Sequence, residues 1–101
     1  MEHAHLMITA GREQEFEAAF LDAHSILTGA AGCLEAELFR DSEEKSSYLL
    51  RVRWETLKDH VEVFPGSAAG AEFGSKVAHF FASTPQVRHF DVAPVDDKVG
   101  G

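Results

Sequence analysis

The apolar positions of the chain switch period from one stretch to the next, and each switch marks an element. From His3 to Thr9 they alternate, with Ala4, Leu6 and Ile8 on one side and His3, His5 and Met7 on the other, which predicts a strand. Gly11 breaks the alternation. From Arg12 onward Phe16, Ala19, Phe20, Ala23 and Leu27 recur at helical spacing and predict one apolar stripe. Glu13 and Glu15 fall in the first turn of that helix, where the backbone dipole favours acids, and Gly29 and Gly32 end it.

Alternation returns in Cys33 to Asp41 and again in Ser47 to Glu55, on either side of the polar loop 42–46. A hairpin centred on Glu44 sets Leu38 opposite Leu50, Ala36 opposite Val52 and Leu34 opposite Trp54. On the other face it sets Glu37 opposite Arg51 and Glu35 opposite Arg53. Apolar meets apolar and acid meets base at every rung, and a slip of one residue destroys the match.

Thr56 and Asp59 have the spacing of a capping box, followed by a short stripe of Leu57, Val61 and Phe64. Pro65-Gly66 breaks this helix, and Ser67 is placed to cap the next, whose stripe is Ala69, Phe73, Val77, Phe80 and Phe81. After Thr84-Pro85, Gln86 to Ala93 predicts a last strand with Arg88, Phe90 and Val92 on one side and His89 and Asp91 on the other. From Pro94 there is no periodicity, so residues 1–93 are expected to form the domain and 94–101 a loose tail.

The order is βαββαβ, which predicts an α+β, ferredoxin-like domain with a four-stranded antiparallel sheet and a second helix broken at Pro65-Gly66. The helices are expected on the face carrying Leu6, Ile8, Leu34, Leu38, Val52, Trp54 and Phe90. The opposite face then holds His3, His5, Glu35, Glu37, Arg51, Arg53, His89 and Asp91, whose charges suit packing against a second copy about a two-fold axis.

Composition narrows the partners. The chain has 101 residues, 45% of them apolar with eight Phe, enough for one two-layer core. A net charge of −8 disfavours nucleic acid and anionic membrane surfaces, both of which need a basic face. No apolar run approaches the roughly 20 residues that span a bilayer. The single cysteine, Cys33, has no internal partner and no basic-then-apolar leader precedes the first strand, so a reducing, cytoplasmic setting is expected. Cys33 itself reads as a small apolar residue.

Two segments, RVRWETLKDHVEVFPGSAAGAEF and HFFASTPQVRHFDV, resemble the antibiotic-biosynthesis monooxygenase (ABM) family of small dimeric α/β-barrel proteins. The shared features are a Trp closing the third strand, a short acidic helix carrying His, a Ser-containing break and a P-x-V-x-H-F opening to the last strand. The resemblance spans about residues 4–93. It implies a homodimer with its sheets face to face and a pocket between sheet and helices in each subunit. It also implies either oxidation of phenolic or quinol-like aromatics by O2 without a cofactor, or haem degradation. The haem-degrading branch places an Asn, a Trp and a His where this chain has Ala4, Val63 and Phe73, so the haem reading is poor. The polyketide-oxidising branch has an Asn where this chain has Leu50. Trp54 matches, so the carry-over rests mainly on Trp54.

The candidate catalytic residues are therefore Trp54, His60 and His79. Trp54 reads either as a core residue or as an aromatic wall whose indole N–H donates to a ligand. His60 sits at the edge of the Leu57, Val61 and Phe64 stripe, where a histidine is either a surface residue or a base for a phenolic proton. His79 lies on the Glu72 side of its helix and reads as a solvated histidine, although it falls in the family-like HFF segment. His24 has a similar boundary position with no motif behind it. His3 and His5, with His89 and Glu37, form a conceivable metal face, but Arg51 and Arg53 oppose a cation there; no metal and no cofactor is expected. The leading reading is a cofactor-independent monooxygenase acting on a small phenolic or quinol-like aromatic; the alternative is a non-catalytic dimeric small-ligand-binding or stress-response module, with a haem-binding or haem-degrading protein third.

Overall fold

A computed structural model describes residues 1–96, apart from the side chain of His60. The elements are β1 (Glu2–Met7), α1 (Glu13–Thr28), β2 (Cys33–Arg40), β3 (Ser47–Trp54), a π-helical turn (Asp59–Val63), α2 (Ala68–Val77), a 3-10 turn (Ala78–Phe80) and β4 (Gln86–His89). The antiparallel sheet has the order β2-β3-β1-β4, and helices cover one face, which is the ferredoxin-like α+β arrangement. The expected tail lies outside the described residues from position 97 onward.

The core forms where the predicted stripes meet. Phe16, Phe20, Ala23 and Leu27 of α1 are buried against Ala4, Leu6 and Ile8, Ala36, and Tyr48, Leu50 and Val52. Phe16 is fully buried and meets Tyr48 edge-on with ring centroids 5.1 Å apart. Glu13 ties the start of α1 to the hairpin: it accepts from the Gly11 N–H at 3.1 Å and from Ser46 Oγ at 2.6 Å. The Ser46 hydrogen bond holds its carboxyl below the usual range. Gly11, at φ +90°, makes the turn into α1 without the steric cost that a side chain would meet.

The hairpin has the register the sequence predicts for most of its length. Leu38 pairs with Leu50, Ala36 with Val52, Glu37 with Arg51 and Glu35 with Arg53. Arg51 donates to Glu37 at 2.5 Å and Arg53 to Glu35 at 3.5 Å. The expected Leu34–Trp54 pair does not form. A bulge between Cys33 and Glu35 sets Cys33 opposite Trp54 and leaves Leu34 56% exposed. Alternation in a sequence carries no mark of one extra residue at a strand end.

Two further expectations are corrected. Phe90 is not on the helix-covered face. Antiparallel pairing of Glu2 with His89, His3 with Arg88 and Ala4 with Val87 places His89 and Val87 in phase with buried Glu2 and Ala4. Phe90 lies instead against His3 on the open face, ring centroids 4.9 Å apart. The apolar character of Phe90 suggested the core, but β4 is an edge strand of four residues whose facing is set by its pairing with β1.

The stripe of Leu57, Val61 and Phe64 is also not buried as a unit. Leu57 is 59% and Val61 48% exposed, and only Phe64 packs, against Trp54 and Phe73. The Thr56–Asp59 box forms as expected, with the Thr56 N–H on Asp59 Oδ2 and the Asp59 N–H on Thr56 Oγ1, each at 3.1 Å. The chain then winds as a π-helical turn, which rotates successive side chains differently from the 3.6-residue period behind the stripe. Ser67 caps α2 by accepting the Gly70 N–H at 3.0 Å.

Candidate active site

Glu2 and Phe64 help to hold Trp54 at the end of β3. Its Nε1 donates to Glu2 Oε1 at 2.9 Å, and its ring lies 5.3 Å from that of Phe64. The indole N–H is thus engaged within the protein, which corrects the expectation that it would donate to a ligand. Trp54 presents its ring. Glu2 is only 7% exposed, an unusual state for a carboxylate, and the indole N–H meets part of its hydrogen-bonding capacity.

Around this pair opens a cavity of about 320 Å³. Trp54, Leu57 and Val92 supply apolar wall, Phe90 borders the rim from the open face, and Glu2, Glu55 and Asp91 contribute carboxylates. His89, which pairs with Glu2 across β1 and β4, lines the same space. The volume is at the small end of the ~300–1,000 Å³ typical of small-molecule sites. Among its lining groups, the His89 imidazole and the Glu2 carboxylate are able to accept a proton.

The other sequence candidates are placed as follows. His60 is on the π-helical turn six residues after Trp54, and its side chain lies outside the described residues. His79 is exposed on the 3-10 turn, stacked on Phe80 with centroids 4.1 Å apart, and is not among the residues lining the Trp54 cavity. His24 is half-buried, and its Nε2 donates to the Ala36 carbonyl at 2.8 Å. His3 and His5 border one pocket on the open face but have different partners. His5 Nε2 is hydrogen-bonded to Ser47 Oγ at 2.7 Å while His3 packs on Phe90, and among the described residues no group of three His, Cys, Asp or Glu is arranged for a metal. Burial, followed by the negative charge of Glu2, pushes the Cys33 thiol up, so the nucleophilic thiolate is disfavoured.

Sequence reasoning missed Glu2 and His89 as site residues. One signal was present: Glu2 falls in phase with Ala4, Leu6 and Ile8, and an acid in a buried phase needs a partner. The other was hidden by the inverted facing of β4.

Comparison with known proteins agrees with this fold. The sequence profile of the family described as antibiotic biosynthesis monooxygenase matches residues 1–90. The Bacillus subtilis protein YczJ, itself uncharacterised, is 44% identical over 89 residues, covering 88% of this chain and 94% of its own. A crystal structure from Bordetella bronchiseptica, a candidate antibiotic biosynthesis monooxygenase, superposes with a TM-score of 0.88 at 35% identity, covering 92% of this chain and 95% of that one. A Caulobacter crescentus structure, also a candidate antibiotic biosynthesis monooxygenase, superposes with a TM-score of 0.77 at 21% identity over 92% and 88% of the two chains, a likeness of fold alone. No described helix is long and apolar enough to cross a membrane. The chain belongs to the antibiotic biosynthesis monooxygenase family.

Proposed function

We propose that the protein is a monooxygenase that oxidises a small phenolic or quinol-like aromatic with O2, without a bound cofactor, in the cavity walled by Trp54. The observation that carries this reading is the fixed indole: its N–H is tied to the buried Glu2 at 2.9 Å, so its face stands as a rigid stacking surface beside a cavity of single-ring size. Removal of the phenolic proton makes the ring electron-rich enough to reduce O2, and the protein contributes orientation and exclusion of water. His60, by its position after Trp54, is the first candidate base, and His89, on the cavity wall, is the second. His79, in the HFF segment, is the third.

Oxygen uptake with a panel of quinols and dithranol-like phenols tests this. Turnover that falls on His60→Ala or His89→Ala supports it. No uptake across the panel, or turnover indifferent to all three histidines, removes it.

A second reading, a non-catalytic binder of a small ligand, draws support from Leu50, which stands where the oxidising branch resembled by the sequence has an Asn. It predicts a rise in melting temperature with ligand and no oxygen consumption. In either case we infer a homodimer through the open sheet face. Phe39 and Phe90 are 40% and 47% exposed there, and the buried His3 Nε2 and Arg53 Nε have no hydrogen-bond partner among the described residues. Light scattering at micromolar concentration that gives a monomer mass would overturn this.

A further inference from the structure

A second cavity, of about 490 Å³, lies between α1 and β2, an edge strand of the sheet. It shares no lining residue with the Trp54 cavity. Phe20, Leu21 and Leu38 make its apolar walls, Phe39 touches only its rim from the open sheet face, and its polar groups converge from three elements. Glu17 of α1 accepts from Tyr48 Oη of β3 at 2.6 Å and from Arg40 Nε of β2 at 2.9 Å, with the Arg40 Nη2 donating as well. A carboxylate offers about four acceptor sites, so one stays open after these three donors. Arg40 retains unused N–H groups, and its side chain is 77% exposed at the mouth. His24 commits its Nε2 proton to the Ala36 carbonyl, so the Nδ1 of the neutral ring is an acceptor.

The charges of Glu17 and Arg40 cancel, which leaves a largely apolar space with a hydrogen-bond donor and acceptors but no net charge. An anion entering it meets Glu17, and a cation meets Arg40. An uncharged ring carrying a hydroxyl meets neither penalty. Its proton has Glu17 or His24 to accept it, and its oxygen has the spare N–H groups of Arg40.

We propose that the cleft between α1 and β2 is a second binding site, independent of the Trp54 cavity, for a small uncharged aromatic of one or two rings bearing a hydroxyl group. The site needs no turnover, so it stands or falls separately from the oxygenase reading.

The probe is 1-naphthol, titrated into the ¹⁵N-labelled protein, with 1-naphthoate and 1-naphthylmethylammonium as charged counterparts. The expected result is saturable shifts of the amides in 17–24 and 36–40, with each charged compound binding at least about tenfold more weakly. Leu21→Trp, at a lip position 75% exposed, fills the mouth and weakens the naphthol binding read from the 17–24 and 36–40 amides by about tenfold or more. Leu38→Ala, which removes a wall on the helix-facing side of β2, weakens binding too and serves if Leu21→Trp misfolds. Absence of saturable shifts in those segments, shifts confined to the Trp54 cavity, or equal binding of all three probes overturns the proposal.

Discussion

Trp54 Nε1 donates to Glu2 Oε1 at 2.9 Å, joining the last residue of β3 to the first of β1. Glu2 faces the helix layer in phase with Ala4 and Leu6, yet it is a carboxylate and 7% exposed. The bond therefore does two things: it meets part of the hydrogen-bonding need of a buried acid, and it fixes the plane of the indole at the cavity.

Replacing Glu2 separates those roles. Glu2→Ala leaves the indole N–H without this acceptor and is expected to cost about 1–3 kcal/mol of stability. Glu2→Gln keeps a carbonyl oxygen in reach of the indole and should lose less. Urea denaturation of both variants, followed by Trp fluorescence, provides the comparison. If Glu2→Ala is as stable as wild type, the bond has no structural weight.

Tyr48 gives a pH signature that can be read without ambiguity, because it is the only tyrosine. Burial, and then its hydrogen bond to Glu17, pushes its hydroxyl up from 10.0 to about 12. The folded protein thus holds the phenolic proton more tightly than the unfolded chain does. This contribution to stability is complete below pH 10.0 and is lost as pH rises toward about 12. Absorbance at 295 nm should place the folded midpoint well above that of the denatured chain, and Glu17→Gln should bring it down.

Glu17 predicts the opposite limb. Hydrogen bonds from Arg40 and then Tyr48 hold its carboxyl below the usual range. Its stabilising effect is present above the ordinary glutamate value of 4.5 and is lost as pH falls through the lowered one. Acid denaturation of Glu17→Gln should be shallower than that of wild type over this range, and superimposable curves would contradict the assignment.

Leu34 and Leu50 test the bulge. Leu34→Ser alters a residue 56% exposed and should change stability by no more than about 0.5 kcal/mol. Leu50→Ala empties a core position 7% exposed and should cost about 2–4 kcal/mol. In the hairpin without a bulge, Leu34 pairs with Trp54 and both substitutions are costly.

Gly70 is a packing constraint beneath the site. A methyl group there would stand 2.0 Å from the Phe64 carbonyl oxygen, so the turn through Pro65-Gly66 must shift to admit it. Gly70→Ala is expected to destabilise by about 1–3 kcal/mol. Because Phe64 packs on Trp54, the indole fluorescence should change in the folded variant as well.

What the chain determined by itself is the part governed by local period and by pairing chemistry. Phe16, Phe20, Ala23 and Leu27 specify the inner face of α1, the matched rungs from Glu35 to Leu38 fix the hairpin register, and Thr56–Asp59 and Ser67 fix two turn and helix starts. What only the tertiary structure decided depends on which strands become neighbours. The facing of β4 follows from its register with β1, not from Phe90, and the bulge at Leu34 follows from how β2 meets the end of β3. The Glu2–Trp54 bond and the Glu17–Tyr48–Arg40 cluster join residues 52, 31 and 23 positions apart, and no periodicity within a strand or helix encodes such a meeting.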